Sequence, residues 1–185
     1  KGNLHLWNME TGKSLGKFTG KSPGNLITIS ISPDGRHAVS THCGGALAYW
    51  DTANKQQVFV LDRSDQRFAG GAASKIKFAA FLSDNNRIAL GIEVMGKNFI
   101  SNGFNVEIYD IKKRKTVRTH EILKGKVDLI SFAVSPDEKY FLASLAVAKS
   151  GGFYGQQAGI LSVVNFQNGN IVRELSFPEA FYGVA

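Results

Sequence analysis

The sequence predicts an all-β chain built by repetition of one unit, four short antiparallel strands joined by tight turns, and three observations carry that expectation. One unit is legible in full between residues 26 and 61. Its first turn returns twice at near-constant spacing, and its third strand returns three times. The 43% hydrophobic and 20% charged composition suits a folded chain, and 20 Gly with 13 Phe suits many turns between aromatic-rich strands.

Within the complete unit, Leu26, Thr28, Ser30 and Ser32 alternate with Ile27, Ile29 and Ile31, so one face is apolar and the other small and polar, as a half-buried strand requires. Ser32-Pro33-Asp34-Gly35 ends that strand. Proline presets φ at the second turn position, aspartate bonds nearby backbone, and glycine accepts positive φ. His37 to Thr41 is the returning strand, Ala46 to Asp51 the third and Gln56 to Leu61 the fourth, separated by Cys43-Gly44-Gly45 and Thr52-Ala53-Asn54-Lys55.

The turn is echoed at Ser83-Asp84-Asn85-Asn86 and Ser135-Pro136-Asp137-Glu138, 51 residues from Ser32 to Ser83 and 52 from Ser83 to Ser135. Leu4-His5-Leu6-Trp7-Asn8, Leu47-Ala48-Tyr49-Trp50-Asp51, Val106-Glu107-Ile108-Tyr109-Asp110 and Leu161-Ser162-Val163-Val164-Asn165 share one form: apolar, variable, apolar, large apolar, then Asp or Asn. In chain order, Leu4 to Asn8 and Ser14 to Phe18 form a hairpin matching the third and fourth strands of a unit. A second complete unit uses Ile76 to Leu82, Arg87 to Val94, Asn105 to Asp110 and Thr116 to Glu121. A third uses Val127 to Ser135, Tyr140 to Val147, Gly159 to Phe166 and Asn170 to Phe177, and Phe181 to Ala185 opens another first strand.

With these phrases in place the chain resembles the WD-repeat β-propellers, whose blades combine Ser-Pro-Asp-Gly, a small-residue strand and a strand ending in Trp-Asp. Gly2 to Lys13 and Ser32 to Asp51 carry the closest likeness. The resemblance implies a β-propeller of four-stranded antiparallel blades, three complete and partial ones at both ends, with units near 1–20, 26–61, 75–121, 127–177 and 181–185. Regular members also carry a Gly-His pair before the first strand and an Asp in the turn before the third, which join a Ser or Thr and the Trp in a hydrogen-bonded network. Here those positions read Gly20-Lys21, Gly125-Lys126 and Gly44, so the network is expected to be absent and apolar packing to hold the blades. A closed propeller needs roughly four to eight blades, so the remaining blades are expected from a longer parent chain or from a second copy.

Function is sought where the repeat is interrupted. The connection at 62–74, from a fourth to a first strand, and those at 95–104 and 149–157, from a second to a third strand, are long, and in propellers connections of these two kinds open on one face. They contain Arg63, Arg67, Phe68, Lys97, Phe99, Phe153, Tyr154 and Gln156, the aromatic, Arg and amide chemistry of protein-recognition surfaces. The expected function is a non-catalytic scaffold that holds a protein or peptide on this face. The alternative is a small-ligand-binding or hydrolytic propeller with its site at the channel mouth; convergent acidic, His or Ser side chains there would favour it.

Other chemistry finds little support. The net charge of +7 and the run Lys112-Lys113-Arg114-Lys115 invite a nucleic-acid reading, but the run falls in a third-to-fourth turn, opposite the long connections, with no interleaved aromatic stripe. No nucleic-acid partner is expected. No Gly-x-Ser-x-Gly, phosphate-binding loop or His-Glu-x-x-His occurs, so no catalytic residue is assigned. His42 and Cys43 are neighbours on a strand and should diverge, while His5, His37 and His120 lack metal-ligand spacing, so neither a metal nor a cofactor is expected. No apolar run approaches the ~20 residues that cross a bilayer, and no membrane partner is expected. Cys43, the single cysteine, is expected to be a buried structural thiol. With no visible leader, it tilts the expected location toward the cytoplasm.

Overall fold

The computed structural model describes residues 4–21, 23–63, 73–96, 101–148 and 157–178. Among them are fourteen strands and no helix, arranged as one hairpin and three four-stranded antiparallel meanders. The hairpin pairs β1 (His5–Trp7) with β2 (Ser14–Lys17). Sheet I contains β3 (Leu26–Ile31), β4 (His37–His42), β5 (Leu47–Asp51) and β6 (Gln56–Leu61). Sheet II contains β7 (Ala73–Phe81), β8 (Arg87–Met95), β9 (Ser101–Asp110) and β10 (Lys115–Lys124). Sheet III contains β11 (Val127–Val134), β12 (Tyr140–Ala148), β13 (Gln157–Asn165) and β14 (Ile171–Phe177). The strand expected at 181–185 lies outside the described residues.

The repeated phrases have local physical causes. At the end of each third strand the Asp or Asn accepts a backbone N–H three residues on: Asn8 from Thr11, Asp51 from Asn54, Asp110 from Lys113 and Asn165 from Asn168. That bond closes the turn to the fourth strand, which is why this position is Asp or Asn while the strand before it varies. In the first turn, Asp34, Asp84 and Asp137 each accept the N–H two residues on.

The turn in sheet II is offset by one residue from the sequence expectation. Leu82 N bonds Arg87 O as Ser32 N bonds His37 O and Ser135 N bonds Tyr140 O, so Leu82 rather than Ser83 stands in the place of Ser32. Ser32 and Ser135 turn their hydroxyls onto Asp34 and Asp137. Leu82 instead is buried among residues of sheets II and III, having exchanged a turn hydrogen bond for core packing. Under this alignment Gly35, Asn85 and Glu138, all at positive φ, are equivalent. The two with side chains link neighbouring turns: Asn85 Oδ1 accepts from Asp34 N at 2.9 Å, and Glu138 Oε1 from Ser83 N at 2.6 Å.

The core lies between sheets, not within one. Phe18, with Leu4 and Leu6, packs on Ala38, Ala48 and Trp50. Val39, Leu47 and Tyr49 of sheet I meet Ile76, Ile88, Leu90, Ile92 and Tyr109 of sheet II. Ala89, Phe104, Val106 and Ile108 on the opposite face of sheet II meet Val127, Leu129, Phe141, Leu145 and Val164 of sheet III. Sheets thus succeed one another face to face, with first strands side by side, β3 against β7 and β7 against β11. Gly91 allows a close approach in this core: a Cβ there would stand 2.8 Å from Leu129 Cδ2.

Candidate functional site

The strand ends that lead into the connections expected to carry function lie at one end of the sheets, opposite the turns at 32–36 and 82–86, because alternate turns of a meander fall at opposite ends. The inner hairpins there are taller than the sequence implied. β4 and β5 have six and five residues, whereas β8, β9, β12 and β13 have nine, ten, nine and nine. Part of each insertion extends the strands: Met95 pairs with Ser101 and Ala148 with Gln157. At about 3.3 Å per residue, the three or more extra residues raise these hairpins by roughly 10 Å.

Of the residues proposed to line this end, Arg67, Phe68, Lys97, Phe99, Phe153, Tyr154 and Gln156 lie outside the described residues. Arg63 is described and turns inward. It is 6% exposed; Nη1 donates to Glu107 Oε2 at 2.7 Å and Nη2 to Thr116 Oγ1 at 2.9 Å. Thr116 in turn donates to Glu107 Oε2 at 2.8 Å. Arg63 therefore ties the chain leaving sheet I to β9 and β10 of sheet II. A segment that enters the next sheet needs such a clamp, and a buried arginine needs a carboxylate, so one pair serves both.

A second group lies on the strands that adjoin at the inner side. Lys77, at a bulge in β7, reaches Asp128 of β11 at 3.1 Å and Glu93 of β8 at 3.5 Å. Burial alone would lower the Lys77 pKa, but Glu93 and Asp128 outweigh it and the ammonium is stabilised. Burial, against the opposing pull of Lys77, raises Glu93. Thr41 donates to Lys77 O at 2.9 Å and shares a 2.9 Å hydroxyl contact with Thr28. Part of the signal for this cluster was available in the sequence: Glu93 and Asp128 are the only acidic residues of β8 and β11, and Lys77 is one of two lysines in β7. Their convergence depends on which strands neighbour across sheets, and a single sequence does not state that.

A third group corrects an expectation. Trp50 Nε1 donates to Ser40 Oγ at 2.8 Å, Ser40 Oγ meets His42 Nε2 at 2.8 Å, and His42 Nδ1 meets Gly24 O at 3.0 Å. A Trp–Ser–His network thus exists in sheet I. Its histidine comes from β4 instead of the segment before β3, two residues beyond Ser40 and so on the same face. The carbonyl of Gly24 can only accept, so Nδ1 carries a proton, and in the neutral ring Nε2 accepts from Ser40. Cys43, next in the chain, is exposed in the β4–β5 turn, contrary to the buried thiol expected. A turn residue followed by Gly44 and Gly45 at positive φ has no sheet face to bury against.

At the other end, the basic run is held to the protein. The Arg114 guanidinium lies 4.5 Å from the centre of the Phe59 ring, and Lys113 Nζ is 3.5 Å from Asp110 Oδ2. Asp110 is held below the usual carboxylate range, chiefly by the Lys113 backbone N–H. Among the described residues no group of three His, Cys, Asp or Glu side chains could hold a metal ion, and no helix is long and apolar enough to cross a membrane. Compared with known proteins, the chain matches no family model and no curated sequence.

Proposed function

We propose that the three sheets are consecutive blades of a WD-repeat-like β-propeller, and that the chain acts as a non-catalytic scaffold that binds a protein or peptide at the end bearing its long connections. The observation that carries this reading is the height of the β8–β9 and β12–β13 hairpins, which stand beyond the β4–β5 hairpin at the end where the 62–72 connection also lies. The segments that join these strands in the sequence, 97–100 and 149–156, contain Phe99, Phe153, Tyr154 and Gln156, residue types suited to protein recognition. The blade reading is supported by the face-to-face succession of meanders and by the adjacency of their first strands.

Site-specific photo-crosslinking tests it. A crosslinker at Phe99 or Tyr154 should capture the same protein in cells, and one at Lys112 should not. Capture from Lys112 alone, or different background proteins from each position, would oppose this reading.

The Lys77, Glu93 and Asp128 cluster favours a second reading, a small polar ligand bound at the inner side of the sheets. Here a metabolite that raises the melting temperature of the wild type should lose its effect in Lys77→Gln. A shift that survives that substitution would remove this reading.

A further inference from the structure

We propose that the turn between β9 and β10, with the first residues of β10, binds an extended acidic segment of a partner protein, whose carboxylates are held by Lys112, Arg114 and Lys115. Residues 111–120 contain five lysines and arginines and no aspartate or glutamate. The matching stretches after the other third strands, 9–18, 52–61 and 166–175, contain two, one and one, and the first and last of these also carry a glutamate. Basic charge is thus concentrated on sheet II. Both faces of that sheet are covered, one by sheet I and the other by sheet III, and β10 is its outer strand. This edge therefore owes its exposure to the fold and not to either end of the chain.

Three of the five cations have no acceptor. Lys113 lies 3.5 Å from Asp110, and Arg118 Nη1 donates to Gln167 O at 3.4 Å. Lys112 and Lys115 are exposed, with no side-chain partner among the described residues. Arg114 is fixed in place without being neutralised. It stands at positive φ, in a turn position that the hairpin and sheet III fill with Gly12 and Gly169, and its guanidinium rests on Phe59 of sheet I. A guanidinium laid on a ring keeps its N–H donors along the edge of its plane, where one carboxylate can take two of them. Beside these cations Val117 has no partner on β9, because Thr116 pairs with Tyr109 and Arg118 with Ile108, and it is 45% exposed. One apolar residue among cations suits an acidic segment that also carries an apolar side chain. Nucleic acid fits less well, since base stacking needs a bare aromatic face, and the ring at hand, Phe59, is taken by Tyr49 and Arg114. The site lies at the end opposite the long connections, so it and the binding face proposed there can fail separately.

Fluorescence anisotropy of the full chain with a labelled peptide of alternating Glu and Val tests it. That peptide should bind saturably, and its counterpart with Gln in place of Glu should not. Arg114→Asn, a residue suited to positive φ, should weaken binding about tenfold, the scale of one lost hydrogen-bonded charge pair. Arg114→Lys keeps the charge, loses the planar fork and should weaken it about threefold. Phe59→Leu leaves every charge in place and should cost a similar factor, because nothing then holds the guanidinium flat. Lys139→Gln, in the turn between β11 and β12, should bind as the wild type does. Circular dichroism establishes that each variant is folded, and if Phe59→Leu is not, the contrast between Arg114→Lys and Lys139→Gln decides. The proposal is overturned by an absence of saturable binding, by equal losses in Arg114→Asn and Lys139→Gln, or by a labelled oligouridine that binds more tightly than the peptide and displaces it.

Discussion

Replacing Arg63 by Met should destabilise the protein by about 3–5 kcal/mol, the cost of leaving one member of a buried ion pair alone. The side chains of Arg63 and Glu107 are each 7% exposed, so after the substitution Glu107 would keep only the Thr116 hydroxyl. Against a total stability of about 5–15 kcal/mol, and with a urea slope of about 2 kcal/mol per molar, the unfolding midpoint should fall by about 2 M. The double variant R63M/E107Q should recover at least half of the loss, since a neutral amide still accepts from Thr116 without stranding a charge. Urea denaturation followed by far-UV circular dichroism measures all three proteins. If R63M unfolds within ~0.5 kcal/mol of the wild type, Arg63 is not a clamp between sheets, and its place among the residues that contact a partner would be restored.

Ser40→Ala would orphan both Trp50 Nε1 and His42 Nε2, two buried groups at about 1–3 kcal/mol each; the loss should shrink in a Trp50→Phe background, measured by urea unfolding. Gly91→Ala puts a Cβ 2.8 Å from Leu129 Cδ2 and should cost about 1–3 kcal/mol through overpacking, which Leu129→Ala, introduced alongside it, should partly relieve in thermal denaturation. His120 has its pKa lowered by burial, against the opposing carbonyl of Phe166. The unfolded chain therefore binds the proton first, so stability should fall as pH drops below about 6.5, the unperturbed histidine value. Substituting His120 with Asn should flatten that part of a pH series of melts.

Strand identity was legible because two periodicities coincided: alternation within each strand and recurrence of the turn. Gln56–Leu61 begins and ends where the sequence placed it. The shift at Leu82 was hidden because Ser83 offered a better match to Ser32 than the residue that holds its place, and core packing outweighed the turn hydroxyl. The lengths of β8, β9, β12 and β13 were hidden too, since Gly- and Phe-containing insertions read equally as loops or as taller hairpins. Arg63 looked like a recognition residue because it follows a strand end; its buried partner Glu107 is 44 residues away, a pairing fixed only by the stacking of sheets I and II. The Trp50–Ser40–His42 network was missed for a narrower reason. The family pattern places its histidine before β3, whereas here the residue bonded to Ser40 lies two positions further along β4.

The account rests on sheets that follow one another face to face, and contacts between sheets II and III test that most directly. Nuclear Overhauser effects from the Leu129 methyls should reach the Gly91 α-protons and the Phe104 ring, residues that share one core across the two sheets. Strong cross-peaks are the predicted result. Their absence in a folded sample, with the strand pairings inside each sheet still observed, would contradict the stacking and everything built on it.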